Sequence, residues 1–259
     1  PGVVVLHDFF LSGVLAYIQS RKDDSTIWWD SLYESHGYKA LLEKKEAEDI
    51  SSIIWQYPCN LPILQKALGV IVHSEYSNNL VKNWYGDSSS QRTAVIPHLR
   101  KSIQLDSSKK ALARHALGIK ETDFVVCSFG LLGPTKLNIE LLEAWANSSL
   151  SKDDRCCLVF VGQNDDGEHG RKIRKLISDF NVKSKIKITG WVGHQDFRNY
   201  LAVADIGVQL RTKSRGETSG TVLDCLNVCL ATIVNSNGSM SDLPNDVAWK
   251  LDDQFEVDS

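Results

Sequence analysis

The sequence predicts an α/β protein built on doubly wound parallel sheets, and three observations support this fold class. Short apolar segments alternate with helical segments along most of the chain, an order that is typical of parallel sheets covered on both faces. Loops that contain glycine follow several of the apolar segments. The length of 259 residues, with 42% hydrophobic and 24% charged residues, suits a globular protein of one large or two ordinary domains.

The first part of the chain contains three predicted strands, at residues 3–6, 67–73 and 93–97. A predicted helix at residues 75–84 follows Ser74. Residues 98–118 are polar and basic, and we expect the join between two domains there. The domains are therefore predicted at residues 1–105 and 106–259. The first resembles the second half of a doubly wound domain without its first strands, so we expect the chain to be part of a longer protein.

The second part of the chain shows the alternation more regularly. Its predicted strands are residues 124–129, 157–161, 185–189, 205–210 and 231–235, the last of the sheet. Its predicted helices are residues 138–146, 171–180, 195–203 and 221–230. In the first of these helices, Leu141, Leu142 and Trp145 lie on one face. This pattern predicts a doubly wound domain from about residue 112 onward.

Composition and charge exclude several classes of protein. The net charge is −3 with acidic and basic residues interspersed, which argues against general nucleic-acid binding. No apolar run approaches the roughly 18 to 20 residues of a membrane span, and the first apolar stretch is too short for a signal peptide. The six cysteines form no CxxC pair and no zinc-ligand spacing with histidine. We expect small buried thiols in a cytoplasmic protein.

The strongest local signal is the loop at residues 211–221, Arg-Thr-Lys-Ser-Arg-Gly-Glu-Thr-Ser-Gly-Thr, between a strand and a helix. Ligands bind at the carboxyl ends of strands in doubly wound sheets, and the backbone N–H groups of a helix N-terminus suit a phosphate. Three basic residues add positive charge there: Arg211, Lys213 and Arg215. The alternative is a solvated basic loop whose helix is capped by Thr218 or Ser219.

A second loop, at residues 128–136, also lies between a strand and a helix. Gly130 and Gly133 permit a close approach of the backbone, and Lys136 lies at the start of the helix as a point charge. Taken alone, such a lysine is usually only exposed. Two loops of this kind on one sheet could face the same diphosphate.

With these loops, the chain resembles retaining glycosyltransferases of the GT-B type, in glycosyltransferase family 4 (glycosyl transferases group 1). The family signature is Glu-x7-Glu after a strand, then a helix, a hydrophobic strand and a Ser/Asn-Gly loop. The corresponding segments are residues 217–226 and 231–244, and further similarity lies at residues 1–8, 69–74, 188–192 and 200–211. The resemblance implies two Rossmann-like domains that face a cleft, the first of them incomplete here.

The sequence departs from the family pattern at three places. Cys225 stands where the second glutamate is expected, and the nearest acid is Asp224; this puts ribose binding by the segment in question. Leu131 stands where an arginine often follows the first loop glycine, so that Arg211 or Arg215 would have to supply the charge. The usual Gly-Pro or Gly-Lys-Pro turn is replaced by residues 227–232, which contain neither glycine nor proline.

The resemblance implies transfer of a sugar from a nucleoside diphosphate donor, held by residues 106–259, to a glycan or lipid-linked acceptor with retention. It implies no cofactor, no metal, and a cytoplasmic location that includes association with the inner face of the membrane. The implied catalytic residues are His7 and Glu217. The implied substrate-binding residues are Gly130, Gly133, Lys136, Arg211, Thr218, Ser219, Gly220 and Thr221. The alternative is a catalytically silent nucleotide-sugar-binding module of a larger assembly.

The acidic pairs of the sequence do not form a DxD-type metal motif. They are adjacent residues in polar turns, at Asp23-Asp24, Asp153-Asp154 and Asp165-Asp166. A metal-independent reaction is consistent with that pattern.

The histidines and tryptophans of the first domain allow more than one interpretation. His7 ends a strand, where similar enzymes place a histidine beside the donor sugar, although a capping or packed histidine is also common there. His98 is a weaker candidate, and His73 is interpreted as structural. Trp28 and Trp29 suggest an amphipathic surface segment, and residues 43–49 suggest a solvated helix face. For both segments, the alternative is a role in binding the acceptor or the membrane.

Overall fold

The computed structural model describes residues 2–22 and 25–255 and divides the chain into two compact units. Unit 1 comprises Pro1–His98 together with the short segment Ser214–Thr218. Unit 2 comprises Leu99–Lys213 and Ser219–Ser259. Parallel sheets with helices on their faces confirm the predicted α/β class.

Unit 1 contains a three-stranded parallel sheet in the order β1-β2-β3. The strands are β1 (Val3–Val5), β2 (Gly69–Val72) and β3 (Thr93–Val95). The helices are α1 (Ser12–Ser20), α2 (Ile27–Glu46), α3 (Ile50–Gln56), α4 (Leu61–Lys66), α5 (Glu75–Tyr85) and α6 (Asp87–Ser90). Ser74 caps α5, because its side chain accepts a hydrogen bond from the Ser77 N–H. The three strands lie where the sequence predicts them, with shorter ends.

The tryptophans of α2 are not a surface segment as predicted. Trp28 is only 3% exposed, and its indole Nε1 donates a hydrogen bond to Ser12 Oγ over 2.7 Å. The Lys44 ammonium is buried over both indoles, 3.9 Å from a ring centroid of Trp28 and 3.5 Å from that of Trp29. The sequence interpretation failed for Trp28 because α2 packs on α1, α3 and α4, whereas Trp29 is only partly buried.

Unit 2 contains a six-stranded parallel sheet in the order β6-β5-β4-β7-β8-β9. The strands are β4 (Phe124–Phe129), β5 (Cys156–Val161), β6 (Lys185–Ile188), β7 (Ile206–Gln209), β8 (Thr232–Asn235) and β9 (Trp249–Leu251). The chain first adds strands on one side of β4 and then returns to add the others on its opposite side. This is the doubly wound order, with its topological switch point between β4 and β7. The sequence placed the last strand at residues 231–235, but β9 follows it.

Helices cover both faces of this sheet. They are α7 (Ser107–Leu117), α8 (Asn138–Asn147), α9 (Glu168–Asp179), α10 (His194–Val203) and α11 (Gly220–Asn227). Alternate residues of β4 enter separate cores, with Val125 and Cys127 on one side and Val126 on the other. Leu142 and Trp145 of α8 are buried in the second core, as its sequence pattern predicts. Burial on both faces explains why these strands are continuous apolar runs.

Helix α7 lies within the polar stretch that the sequence offered as a domain join. The Asp106 carboxylate caps it by accepting a hydrogen bond from the Lys109 N–H over 2.9 Å, and Gly118 ends it with φ of 67°. Arg114 is buried and pairs with Asp205 over 3.1 Å. The second half of the stretch is therefore a helix packed into unit 2, with polar residues on its outer face.

Burial of the thiols follows the prediction at five positions. Cys59, Cys127, Cys156, Cys157 and Cys225 are buried, whereas Cys229 is exposed because α11 ends before it. All six thiols are free. In the described part of the chain, no helix combines the length and apolar character that are needed to cross a bilayer.

Candidate functional site

The two glycine-containing loops that follow β4 and β7 meet, through their residues in unit 2, at the switch point of the six-stranded sheet. They follow β4 and β7, which are neighbours paired through Cys127 and Gly207. The Thr212 N–H donates a hydrogen bond to the Thr135 carbonyl over 3.1 Å. A Cβ atom on Gly130 would lie 3.6 Å from Thr221 Cγ2. The sequence predicted two similar loops, and the sheet order brings them together.

The first loop depends on close contact between backbones. Gly130 has φ of +104°, and its N–H donates to the Val161 carbonyl over 3.0 Å. A Cβ atom on Gly162 would lie 2.0 Å from the Gly130 carbonyl oxygen, so only glycine fits there. The Gly133 N–H donates to Asn138 Oδ1 over 3.1 Å. These contacts hold the loop tightly against the end of β5.

Lys136 lies in a turn at the end of this loop, immediately before α8. Its N–H donates a hydrogen bond to the Gly133 carbonyl over 2.9 Å. Lys136 is partly exposed, and Leu131, in the position that often holds an arginine in the family, is 64% exposed. The loop thus presents one cation, Lys136, and an apolar side chain where a second cation was expected.

The second loop is held by the fully buried side chain of Asn235, at the end of β8. The Arg211 N–H donates to Asn235 Oδ1 over 2.8 Å, and the Arg211 carbonyl accepts from Asn235 Nδ2 over 2.7 Å. The Arg211 guanidinium in turn donates to Ser219 Oγ over 3.3 Å. Since Ser219 is the N-cap residue of α11, the charge of Arg211 lies at the N-terminus of that helix.

The N-terminus of α11 lacks the usual side-chain cap, because Ser219 makes no cap hydrogen bond. Its hydroxyl instead contacts Arg211 and lies 3.2 Å from Thr221 Oγ1, which donates to Gln209 Oε1. The predicted alternative, a helix capped by Ser219, is therefore not what the structure shows. The positive end of the helix dipole and a guanidinium repel each other, and a bound anion would relieve that repulsion.

A second arginine, which the sequence analysis missed, lies at the same helix terminus. Arg100 Nη2 is 2.7 Å from the position of a Cβ atom on Gly220. Arg100 Nε donates to Asp224 Oδ1 over 2.7 Å, which anchors the guanidinium. No local signal marks Arg100, since it lies in a polar stretch far from α11 in sequence.

The departure at Cys225 is explained by its burial. Cys225 is completely buried in the core, and burial raises the pKa of its thiol to about 12. A Cβ atom on Gly207 would lie 3.1 Å from its Sγ atom. Successive helix residues are rotated by about 100°, so Asp224 lies on another face of α11, paired with Arg100. Asp224 is thus occupied by an internal ion pair.

The segment Ser214–Thr218 belongs to unit 1 and is bound there through its backbone. The Phe9 and Phe10 N–H groups donate to the Arg215 carbonyl over 2.7 and 2.9 Å. Ser77 Oγ donates to the Gly216 carbonyl. Gly216 has φ of +82°, and a Cβ atom on it would lie 2.5 Å from Phe9 Cβ. A larger residue at position 216 would therefore displace the segment.

Glu217 accepts hydrogen bonds from its own segment. Its Oε2 atom accepts from Ser214 Oγ over 3.1 Å and from the Arg215 N–H over 2.6 Å. Thr218 Oγ1 is buried and makes no hydrogen bond to the described residues. Of the predicted site residues, His7, Glu217 and Thr218 thus lie in unit 1, and the remainder lie in unit 2.

Three histidines come together in unit 1. His7 follows β1 and is exposed, with its Nδ1 atom 3.1 Å from His73 Nε2. His98 completes the group. The centroid of its ring lies 4.8 Å from the ring centroid of His73 and 5.5 Å from that of His7. In the sequence, each of the three lies at or just beyond the end of a predicted strand. This shared position is the signal from which their meeting could have been predicted.

One member of each described acidic pair is engaged in local structure. Asp165 Oδ2 accepts hydrogen bonds from the Gly167 and Gly170 N–H groups before α9. Hydrogen bonds from Arg155 lower the pKa of Asp153 to about 2. Asp23 and Asp24 lie outside the described residues. Among residues 2–22 and 25–255, only the three histidines are spaced to hold a metal ion.

Comparison with known families gives one match over more than half of the chain. The family model described as "Glycosyl transferases group 1" matches residues 109–246. This range contains both loops and the whole of β4 to β8. No curated protein sequence matches the chain.

Solved structures share the fold at low sequence identity. HepE from Anabaena in complex with UDP has a TM-score of 0.64 at 15% identity, over 96% of this chain and 58% of that one. Sucrose-phosphate synthase from Thermosynechococcus elongatus has a TM-score of 0.65 at 17% identity, over 88% of this chain and 58% of that one. WaaG, a glycosyltransferase involved in lipopolysaccharide biosynthesis, has a TM-score of 0.64 at 12% identity, over 99% of this chain and 87% of that one.

These structures confirm the predicted GT-B architecture of Rossmann-like domains. The chain spans between 50% and 58% of the length of the HepE and sucrose-phosphate synthase chains that it matches.

Proposed function

Because this chain belongs to the glycosyl transferases group 1 family, we propose that it binds a nucleoside diphosphate sugar and transfers the sugar with retention to a glycan or lipid-linked acceptor. The observation that carries the proposal is the meeting of two loops at the switch point between β4 and β7. Doubly wound sheets bind their ligands at this place. The proposed reaction lies in the cytoplasm, at the inner face of the membrane where the acceptor is lipid-linked.

The diphosphate of the donor is proposed to bind between the two loops. Arg211 and Arg100 both lie at the uncapped N-terminus of α11, where backbone N–H groups and guanidinium groups together suit an anion. Lys136 supplies a further charge from the first loop. HepE has been solved in complex with UDP, with UDP-glucose, and with UDP and glucose, so UDP and UDP-glucose are the first compounds to test.

The same cations would favour the chemical step. Cleavage of the glycosidic bond leaves additional negative charge on the departing diphosphate. Lys136, Arg211 and the helix N-terminus would bind that diphosphate more tightly in the transition state than in the donor, and only such differential binding increases the rate. We propose that Glu217 contacts the sugar hydroxyls or balances charge on the ring, and that His7 orients the donor sugar or the acceptor. The reaction is proposed to need no metal or cofactor.

A second candidate function is a catalytically silent module that only binds the nucleotide sugar. Two observations favour it: Cys225, in the place of the signature glutamate, is buried in the core, and the neighbouring Asp224 is paired with Arg100. Neither side chain is then available to bind a ribose. Slow hydrolysis of the donor without acceptor distinguishes the two functions, because an active transferase hydrolyses its donor and a silent module does not.

The test of the proposed function is a thermal-shift screen with UDP-, GDP- and ADP-linked sugars, followed by donor hydrolysis. A ligand that binds only the native state raises the melting temperature. We expect one of the three nucleotide classes to stabilise the protein, and the stabilisation to be lost in Arg211→Ala. Lys175→Ala, which removes an exposed charge from α9, serves as the matched control. Absence of stabilisation by every donor would reject both candidate functions.

A further inference from the structure

Three imidazoles converge at the carboxyl end of the three-stranded sheet. His7, His73 and His98 follow β1, β2 and β3 in turn, and the parallel pairing of these strands brings the three residues together. Each offers one ring nitrogen, and these nitrogens lie within 4.8 Å of one another. His7 is exposed and the other two are partly buried. The group is thus accessible to a small solute from solvent.

The orientation of His73 is set by a backbone carbonyl. Its Nδ1 atom lies 2.7 Å from the Ile96 carbonyl oxygen, which can only accept a hydrogen bond. In the neutral ring, Nδ1 therefore carries the hydrogen and Nε2 keeps its lone pair. That lone pair lies toward His7 Nδ1, 3.1 Å away. A carbonyl that accepts from one ring nitrogen while the other faces a binding point is the usual support of a metal-ligating histidine.

The separation between two of these nitrogens suits a small divalent cation. Zinc binds imidazole nitrogens at about 2.0 to 2.1 Å in tetrahedral sites, which separates neighbouring ligand atoms by about 3.3 Å. The 3.1 Å between His73 Nε2 and His7 Nδ1 is close to that separation. A donor set made only of imidazole nitrogens favours zinc and similar transition metals over magnesium or calcium.

We propose that His7, His73 and His98 bind one zinc ion through three imidazole nitrogens, and that the fourth position takes a water molecule or an oxygen ligand. Three protein ligands with an open position are the arrangement of reactive rather than closed zinc sites. The bound ion would also join the ends of the three strands of unit 1. This inference shares His7 with the proposed transfer reaction, but it involves none of the residues proposed to bind the diphosphate, which are Lys136, Arg211 and Arg100 of unit 2.

The test is a calorimetric titration of zinc into the complete 259-residue chain after treatment with a chelator. The titration uses the Cys229→Ser background, because Cys229 is an exposed thiol that would itself bind zinc. We expect one zinc ion per chain. Zinc affinity should fall by about 100-fold or more in each of His7→Ala, His73→Ala and His98→Ala. This loss is at or above that seen when a residue that supports a metal ligand is removed. His115→Ala and His194→Ala, on the exposed surfaces of α7 and α10, are the matched controls.

Two further measurements separate ligation from folding. Cobalt(II), used as a spectroscopic probe, should give the visible absorption of a four-coordinate site in the parent chain and in both controls, and lose it in the three variants. Zinc should raise the melting temperature of the parent chain but not of His98→Ala. If His73→Ala does not fold, the His7 and His98 variants still decide the question.

The proposal is overturned if the chain binds no zinc, or if zinc binding persists unchanged in these variants. The histidines would then form only a hydrogen-bonded cluster. UDP affinity, measured on the metal-free protein, reports separately on the nucleotide site, so failure of one proposal leaves the other open to its own test.

Discussion

The positive charges of Lys136 and Arg211 provide the first test at the scale of single residues. Lys136→Ala and Arg211→Ala are each expected to weaken binding of the nucleoside diphosphate by about 1.5 to 3 kcal/mol, the range for a charge-assisted hydrogen bond. Affinity of the parent chain should fall as ionic strength rises, because salt screens these interactions. Calorimetric titration measures both effects, with Lys175→Ala as control. Parent-like affinity in both variants would remove these residues from the site.

Glu217 allows binding to be separated from catalysis. If its carboxylate acts on the sugar, Glu217→Gln should lower the rate of transfer or donor hydrolysis and leave the affinity for free nucleotide near that of the parent, because free nucleotide lacks the sugar. The measurements are the rate under donor saturation and the calorimetric affinity for UDP or GDP. The carboxylate also accepts hydrogen bonds from Ser214 and Arg215. An equal loss of nucleotide affinity would show that Glu217 only holds its own segment.

His36 introduces a pH dependence of stability. Burial lowers its pKa from 6.5 to about 4, and its Nε2 atom accepts a hydrogen bond from the Cys59 N–H over 3.1 Å. The unfolded chain therefore binds a proton more readily, and the free energy of unfolding should fall as pH decreases from 6.5 toward 4. The free energy of unfolding is measured by urea denaturation at pH 7 and at pH 4.5. It should decrease less between these two pH values in His36→Gln than in the parent chain. His115→Gln should keep the pH dependence of the parent chain. If all three proteins lose the same free energy of unfolding between pH 7 and 4.5, His36 is not the source of the pH dependence.

At the scale of elements, the contact between the ends of β4 and β5 depends on Gly162. Gly162→Ala would place a methyl group 2.0 Å from the Gly130 carbonyl oxygen, so the first loop must move. We expect a loss of about 1 to 3 kcal/mol in the free energy of unfolding, the usual cost of overpacking, together with weaker nucleotide binding. Gly133→Ala in the same loop is the control for stability, because nothing lies within 4 Å of its added Cβ atom. Equal stability of the two variants would show that the loop adapts.

At the scale of the whole molecule, the amides that bound UDP protects from hydrogen exchange should lie at one edge of one sheet. Hydrogen exchange with and without UDP should slow most at residues 128–137 and 210–221, at the carboxyl edge of the six-stranded sheet. The amides of β1, β2 and β3 should change less, because these strands contain none of the residues proposed to bind the diphosphate. Peptide-resolved mass spectrometry measures both sets. Protection concentrated on the three-stranded sheet would place the nucleotide elsewhere.

The sequence by itself determined most of unit 2 and the two loops of the candidate site. Strands of a parallel sheet are buried on both faces, so β4 and β5 are continuous apolar runs that are recognisable without any knowledge of their partners. Glycines at positions 130 and 162 mark loops for an equally local reason, the room left by a missing side chain. Helix α7 was missed because its short apolar face is surrounded by lysines and serines, and β9 because it is only three residues long.

Tertiary structure alone decided which distant residues meet. Strand order brings the loops after β4 and β7 together and gathers three histidines at one edge of unit 1. The packing of the segment before α7 places Arg100 at the N-terminus of α11. The packing of helices in unit 1 buries Trp28 under Lys44, against the surface role suggested by its sequence. Local patterns record whether a residue is buried and in which type of element it lies. They do not record which distant residues are its neighbours. Several strands and several helices have similar sequence patterns, so these patterns do not specify which elements pack together.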